Sequence, residues 1–225
     1  MAADTEPRLP LSRDRILHAA LELADESGIE SLTMRKLGRA LGFEAMSLYN
    51  HVANKDDVLD GILDLVLAES EPPAPEGDWD AAIRESAVSV HDALRRHPWA
   101  CTLLMSPEHA RPARVRYMDL LLGRLRKAGF SAETTYHAYH VLDGHIFGFS
   151  LWETGHTYTP EQTADFAATF ARTITADEYP YLHEHAQQHF AEGPHHEVRA
   201  FEFGLDLILD GLRKIHDTDT VSDTA

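Results

Sequence analysis

LTMRKLGRALGFEAMSLYNHVANKDDVLDGI, residues 32–62, carries the strongest structural signal in this chain of 225 residues. Thr33 is a candidate N-cap for a short helix that Gly42 ends, because Thr accepts hydrogen bonds from free helix N–H groups and glycine commonly ends helices. A second short helix is predicted over residues 45–51, and Asn54 begins another. Two short helices around a glycine turn form a helix-turn-helix, in which the second helix enters the major groove of DNA. Taken alone, such a hairpin also occurs as a simple packing unit.

Helical periodicity continues on both sides of this stretch, and no strand pattern competes with it. Ser12 and Gly28 bracket one helix before it. After it, EPPAPEGD at residues 71–78 breaks the pattern, because prolines do not continue helices. Further helical segments are predicted over residues 79–97, 99–105, 113–128, 131–154, from Thr159 to the interruption at Tyr179 and Pro180, and 196–216. We therefore predict an all-α chain, with a helix-turn-helix three-helix domain at residues 1–70 and a helical-bundle domain at residues 78–225.

The composition is that of a globular protein in a reducing compartment. Hydrophobic residues make up 44% and charged residues 25% of the chain, which lies in the globular range. The single cysteine, Cys101, excludes an intrachain disulfide framework and a cysteine-based zinc site. The chain shows no apolar run of membrane-spanning length, and its first residues lack the order of a signal peptide. We expect a cytoplasmic protein with no membrane partner.

The distribution of charge separates one segment from the rest of the chain. The net charge of −17 argues, as an average, against binding a polyanion. Residues 31–55 depart from that average, with four basic residues against one acidic: Arg35, Lys36, Arg39 and Lys55 against Glu44. A basic window in an acidic chain can contact phosphates while the rest is repelled, which favours one binding orientation. Chance clustering on a solvated face is the alternative that charge alone leaves open.

The run LTMRKLGRALG followed by SLYNHVANK resembles the N-terminal DNA-binding region of the TetR (tetracycline repressor) family of bacterial transcriptional regulators. The resemblance extends over about residues 12–62 and is more specific than an isolated glycine turn. It implies base contacts from Arg35, Ala45, Met46, Ser47 and Asn50. It implies phosphate contacts from Thr33, Tyr49, His51 and Lys55. Arginine can pair with guanine, asparagine with adenine, and methionine can pack on a thymine methyl group.

The second half is similar, more weakly, to the ligand-binding domain of the tetracycline-repressor branch, through LRKAGFS and TTYHAYHVLDGHIFGF. Leu104 stands where that branch has its magnesium-ligating histidine, so tetracycline is not the expected effector. Aromatic and polar residues on successive helices can line a mostly apolar pocket with a few polar anchors. The candidates are His91, Met105, Tyr117, Tyr136, His140, Asp143, Phe147 and Trp152. Each is also a candidate core residue, because aromatic and methionine side chains at helical spacing are common in cores.

Fifteen histidines suggest a metal site as an alternative. His137 and His140 are three residues apart, and His185 and His189 are four apart, a spacing that can place two imidazoles on one metal. No third ligand stands at a defined position, so solvated surface histidines are the better interpretation and no metal is predicted. Ser150 lies in GFSLW, which lacks the final glycine of a nucleophile elbow. We therefore predict no catalytic residue and no cofactor.

These observations predict a one-component transcriptional repressor that binds a palindromic operator as a homodimer and is released by a small-molecule effector. Two-fold pairing is the usual way for a helix-turn-helix to reach two half-sites. One candidate pairing surface is the helix over residues 131–154, whose nearly uniform apolarity predicts burial on all sides. The other is a heptad seam on the last helix, formed by Val198, Phe201, Leu205, Ile208, Leu212 and Ile215. The alternatives are a helical ligand- or metal-binding protein without DNA binding, and an enzyme with an unrecognised helical site.

Overall fold

Eleven α-helices and one 3₁₀ turn make up the part of the chain that the structure, a computed structural model, describes: residues 10–106, 111–155, 160–192 and 196–222. No strand occurs within these ranges. The helices are α1 Arg13–Ser27, α2 Met34–Leu41, α3 Ala45–Leu48, α4 Lys55–Ala68, α5 Trp79–Arg96, α6 Pro98–Leu104, α7 Pro112–Lys127, α8 Ala132–Gly155, α9 Pro160–Thr173, α10 Pro180–Glu192 and α11 His196–Ser222. The all-α prediction is confirmed.

The predicted caps of the N-terminal helices are confirmed. The side chains of Ser12, Thr33 and Asn54 each accept a hydrogen bond from the backbone N–H three residues later, at 3.2, 3.2 and 2.8 Å. Gly42 ends α2 in the left-handed conformation, with φ of +75°. That conformation suits glycine because it has no Cβ, so the turn into α3 follows directly from the local sequence. Thr159, where the sequence predicts the helix corresponding to α9 to begin, lies outside the described residues.

Gly38 allows α2 and α3 to approach each other closely. A Cβ atom at this position would lie 2.8 Å from the carbonyl oxygen of Phe43 and 3.1 Å from the amide nitrogen of Ala45. Both neighbours are backbone atoms, so a side chain at position 38 would displace the turn itself. The absence of a Cβ therefore helps to set the geometry of the helix-turn-helix.

The recognition helix is shorter than predicted. The sequence predicts a helix over residues 45–51, but α3 ends at Leu48 and residues 49–51 form a turn. The reason lies in the backbone: the N–H of His51 bonds the carbonyl of Leu48, three residues earlier, at 2.9 Å. This tighter pattern ends the regular α-helix.

Contacts divide the chain into two compact units. Unit 1 comprises Met1–Pro73 and Ser89–Leu121, and unit 2 comprises Ala74–Val88 and Leu122–Ala225. Within unit 1, α1 packs against α2 and α4, and α6 packs against α1 and α4. The fully buried side chains of unit 1 include Ile16, Leu37, Leu48, Ile62 and Leu94.

The predicted break between helices at residues 71–78 is confirmed, because α4 ends at Ala68 and α5 begins at Trp79. The division of function at this break stays a prediction.

Unit 2 has its own core, in which α8 packs against α11. Phe147 of α8 and Phe201 of α11 are fully buried. The ring of His145 stacks on Phe201 with centroids 4.9 Å apart, and its Nε2 lies 2.9 Å from the Phe201 carbonyl oxygen. Gly204 allows this approach, because a Cβ there would lie 2.6 Å from the His145 ring.

Within the single chain the helix over residues 131–154 is not buried on all sides, and its role as a pairing surface stays a prediction. Four of its large side chains are exposed: Tyr136, Val141, Leu151 and Trp152. Apolar composition alone does not say how many faces of a helix a single chain can cover. These side chains leave α8 with uncovered apolar surface.

The heptad seam on α11 is also wrong as a pairing surface. Phe201, Leu205 and Leu212 are buried within the chain, Ile208 is only half-buried, and Leu209 takes its place in the core. A straight α-helix drifts by about 20° per heptad relative to a seven-residue repeat, which shifts the buried face in this way. The exposed apolar residues of α11 are Phe203, Leu207 and Ile215. The side chain of Val198 lies outside those that the structure describes.

Candidate nucleic-acid interface

Residues 45–55, which we term the recognition segment, are held to unit 1 by two side chains. Leu48 is 0% exposed and Val52 is 3% exposed. They lie four positions apart, so they fix one side of the segment against the core formed with α1, α2 and α4. The opposite side is left to face outward.

The outward side carries the residues that the TetR resemblance associates with DNA. Met46 is 75% exposed and Tyr49 is 43% exposed, and Asn50 and His51 are also exposed, whereas Ala45 and Ser47 are half-buried. The structure therefore brings the predicted contacts of this segment to one surface.

Basic side chains flank the recognition segment. Arg35 on α2 and Lys55 at the start of α4 are exposed, and neither forms an ion pair with another described residue. Lys36 and Arg39 are likewise exposed on α2 without an ion pair among the described residues. The hydroxyl oxygen of Thr33 accepts a hydrogen bond from the N–H of Lys36 and can still donate its own proton. These groups offer positive charge and donors of the kind that phosphate oxygens accept.

An ion pair that the sequence did not indicate lies beside this surface. The guanidinium of Arg13 donates two hydrogen bonds to Asp57, at 2.9 Å to Oδ2 and 2.7 Å to Oδ1. Asp57 Oδ2 also accepts from the backbone N–H of Ala53 at 2.8 Å. These hydrogen bonds lower the pKa of Asp57 below its ordinary value, and the bond from Arg13 has the largest effect. Nothing in the local sequence indicated that Arg13, 44 residues away, would pair with Asp57.

A second cluster that the sequence did not indicate surrounds His97, at the junction of α5 and α6. His97 is buried, and its Nδ1 lies 2.8 Å from Oδ1 of Asp25 on α1. Its Nε2 lies 3.1 Å from Oε1 of Glu69, at the end of α4. The indole N–H of Trp99 donates to the same Asp25 oxygen at 2.7 Å.

Both ring nitrogens of His97 therefore lie within hydrogen-bond distance of a carboxylate oxygen. Partial burial raises the pKa of Glu69, but hydrogen bonds from Arg96 and His97 outweigh it and lower that pKa overall. The cluster ties α1 and the end of α4 to the start of α6 within unit 1.

The predicted effector-pocket residues divide between the two units. In unit 1, His91 and Tyr117 are buried and Met105 is exposed. Their burial is compatible with either a pocket or a core, so their effector role stays a prediction.

In unit 2, Asp143 and Phe147 are buried on α8, and Tyr136, His140 and Trp152 are exposed on the same helix. The structure brings Tyr136 and His140 together: their ring centroids are 4.4 Å apart, and His140 Nδ1 lies 2.7 Å from the Tyr136 carbonyl oxygen. The effector role of these five residues also stays a prediction.

The one side chain considered as a nucleophile has a structural role. Ser150 donates its hydroxyl proton to the carbonyl oxygen of Ile146 at 2.7 Å, inside α8. Burial raises the pKa of the Cys101 thiol to about 11, so this thiol is neutral near pH 7. Among the described residues, no group of three or more His, Cys, Asp or Glu side chains is arranged to hold a metal ion. None of the described helices is both long and apolar enough to cross a membrane.

Comparison with known proteins covers both halves of the chain. The family described as bacterial regulatory proteins, tetR family, matches residues 16–62. The family described as tetracyclin repressor-like, C-terminal domain, matches residues 71–216, which is more than half of the chain.

Among the proteins that match most of the chain are two relatives and one solved structure. HTH-type transcriptional repressor DrrR1 of Streptomyces coeruleorubidus is 32% identical over 216 residues, which are 92% of this chain and 78% of that protein. Tetracycline repressor protein class D of Escherichia coli is 31% identical over 214 residues, 88% of this chain and 93% of that protein. The crystal structure of ActR from Streptomyces coelicolor in complex with actinorhodin has a TM-score of 0.72 and 28% identity, over 90% of this chain and 95% of that chain. The chain therefore belongs to the TetR family of bacterial transcriptional regulators, has a tetracycline-repressor-like C-terminal domain, and is a ligand-responsive DNA-binding repressor.

Proposed function

We propose that this repressor binds a palindromic operator as a homodimer in the cytoplasm and leaves it when a small-molecule effector binds. Residues 1–70 bind the DNA, and residues 78–225 bind the effector and form the dimer. The DNA-binding proposal rests on the observation that the recognition segment has one buried side and one exposed side. Its buried Leu48 and Val52 face the core, whereas its exposed Met46 and Asn50 face outward beside the exposed basic side chains of Arg35 and Lys55.

The proposed contacts follow the chemistry of each side chain. Arg35 and Asn50 read base edges, because Arg can pair with guanine and Asn with adenine through two hydrogen bonds. Met46 packs on a thymine methyl group, and Ala45 and Ser47 approach the bases beside it. Thr33, Tyr49, His51 and Lys55 contact phosphates, which set register and supply affinity without reading sequence.

Dimerisation uses the uncovered apolar side chains of α8 and α11. Phe203 and Leu207 lie one turn apart on α11 and are 68% and 59% exposed. Val141, Leu151 and Trp152 are the exposed counterparts on α8. Two helices from each of two chains can form a four-helix bundle that buries such faces. In a two-fold dimer both chains use the same surface, so α8 and α11 of each chain would supply the whole interface.

The effector is a largely apolar small molecule with a few polar groups. The predicted pocket residues support this chemistry, because they combine aromatic rings with imidazole and carboxylate groups. An effector that binds one conformer better than the other lowers operator affinity by the same coupling free energy.

The operator proposal is tested by selecting DNA duplexes from a random pool on the purified full chain. We expect a palindrome whose half-site centres lie about one helical turn apart, roughly 10 base pairs. Asn50→Ala should weaken binding to the selected duplex. Tyr181→Ala, a change at an exposed site on α10, is the matched control and should leave binding unchanged. A pool that shows no enriched sequence would contradict operator binding.

The effector proposal is tested by adding compounds to the complex of protein and selected duplex. Actinorhodin, the ligand in the ActR structure, is the first compound to try, together with other apolar ring systems that carry polar substituents. Tetracycline with magnesium should not release the duplex, because Leu104 offers no metal ligand. Release by tetracycline and magnesium alone would show that the pocket chemistry is misassigned.

A further inference from the structure

The recognition segment is too short to hold its own conformation. α3 has only four residues, and a helix of this length is not stable by itself in water. Leu48 and Val52 anchor one side, but residues 49–54 between α3 and α4 have no regular helix of their own. A segment that must present side chains to bases therefore needs further support at its C-terminal end.

Asp57 provides that support from the first turn of α4. Its Oδ2 accepts the backbone N–H of Ala53 at 2.8 Å, and its own N–H donates to Oδ1 of Asn54 at 2.8 Å. The two bonds run in opposite directions across the junction, so they fix the angle at which the segment enters α4.

Arg13 at the start of α1 holds the Asp57 carboxylate in place. Its guanidinium bonds both carboxylate oxygens, at 2.9 and 2.7 Å, which is the two-bond geometry that arginine and a carboxylate favour. The bond crosses 44 residues of sequence and links α1 to α4. It also neutralises an acidic group two residues from Lys55, where a bare carboxylate would repel phosphate.

We infer that Arg13 and Asp57 are positioning residues for operator recognition, which orient residues 49–55 without touching the DNA. This inference rests on the proposed contact between the recognition segment and the operator. The pair explains why an acidic residue lies beside the DNA-binding surface: its role is to order the backbone, and Arg13 offsets its charge.

The direction in which Asp57→Asn changes operator affinity distinguishes a positioning role from a purely electrostatic one. Asp57→Asn removes a negative charge near the DNA, so electrostatics alone predicts tighter binding. Positioning predicts weaker binding, because the amide cannot accept both hydrogen bonds of the Arg13 guanidinium. From the usual strength of exposed ion pairs and charged hydrogen bonds, we expect the Kd for the selected duplex to rise by about three- to tenfold.

Arg13→Lys supplies a second, independent variant. Lysine keeps the positive charge but lacks the planar two-bond geometry, so the Kd should rise by about threefold or more with an unchanged salt slope. A phosphate-contacting arginine would instead tolerate lysine, and Arg13→Gln would then lower the salt slope by about one unit. If either single variant fails to fold, the other decides the question.

Binding is measured by fluorescence anisotropy at several salt concentrations, well below the melting temperature of each variant. The matched control is Arg84→Gln, which breaks the ion pairs of a half-buried arginine with Glu202 and Asp206 in unit 2 and should leave the Kd unchanged. A Kd for Asp57→Asn that rises less than threefold, or falls, overturns the inference, as does full binding by Arg13→Lys. If Lys55→Ala also leaves binding unchanged, the proposed operator contact has failed instead.

Discussion

Replacing Phe203 and Leu207 together by aspartate should convert the repressor into a monomer. Both side chains are exposed on α11, one helical turn apart, and neither belongs to the buried core of unit 2. The fold should therefore survive the change, whereas a dimer that buries these side chains should not.

The expected magnitude follows from the exposed fractions of the two side chains. Full burial of a large apolar side chain stabilises by about 1.5 to 3 kcal/mol. With 68% of Phe203 and 59% of Leu207 still exposed, the dimer can gain about 1 to 2 kcal/mol from each. A two-fold dimer contains four such side chains, so about 4 to 8 kcal/mol is lost, a rise in dimer Kd of about a thousandfold or more. In the proposed dimer the added negative charges would repel each other and oppose association further.

Light scattering on the purified protein measures the outcome. The double variant should have the mass of one chain, 25.2 kDa, and the parent twice that mass. Circular dichroism should show unchanged helix content, and the variant should no longer shift operator DNA. Tyr181→Asp places the same charge at a side chain 86% exposed on α10 and should remain dimeric. A double variant that stays dimeric and binds operator normally would show that the interface lies elsewhere.

Three further predictions concern the DNA-binding residues and their support. Lys55→Ala should weaken binding to all sequences and reduce the salt slope by about one unit, as measured by titration at several salt concentrations; an unchanged slope would remove Lys55 from the phosphate contacts. Asn50→Ala and Arg35→Ala should each relax preference at particular base positions and cost about 1 to 3 kcal/mol, measured against duplexes with single base changes. Retained preference would show that the substituted residue does not read bases. Because the pKa values of Asp57 and Glu69 are lowered in the folded chain, the unfolded chain binds protons first on acidification. Their stabilisation is therefore complete above their ordinary pKa values and is lost as pH falls through the lowered ones. Urea unfolding between about pH 7 and about pH 3 should show this loss, reduced in Asp57→Asn; an equal loss in that variant would contradict the role of Asp57.

The helix-turn-helix could be predicted because its determinants are local. Thr33 and Asn54 accept hydrogen bonds from the backbone N–H three residues away, and Gly42 adopts a conformation that few other residues tolerate. The end of α3 was less predictable, because the switch from helix to turn after Leu48 leaves the apolar spacing of Leu48 and Val52 unchanged.

The residues that support the candidate site could not be predicted, because their partners are distant in sequence. Arg13 lies 44 residues from Asp57, and His97 lies 72 residues from Asp25. Charged residues are common on helix surfaces, and no local pattern selects which of them pair.

The sequence alone determined the all-α class, the caps and the recognition segment, since each depends on residues within about one or two helical turns. Only the tertiary structure decided which faces of α8 and α11 are buried. In α8, apolar residues lie on all sides of the helix, so the sequence does not show which side is buried. In α11, the heptad spacing differs from the true helical period, so the buried face shifts along the helix. In both helices, the neighbouring helix determines which face is buried. That selection buries Leu205 and Leu209 and leaves Phe203 and Leu207 at the surface. The physical reason is that periodicity defines which side chains share a face, whereas burial depends on what packs against it.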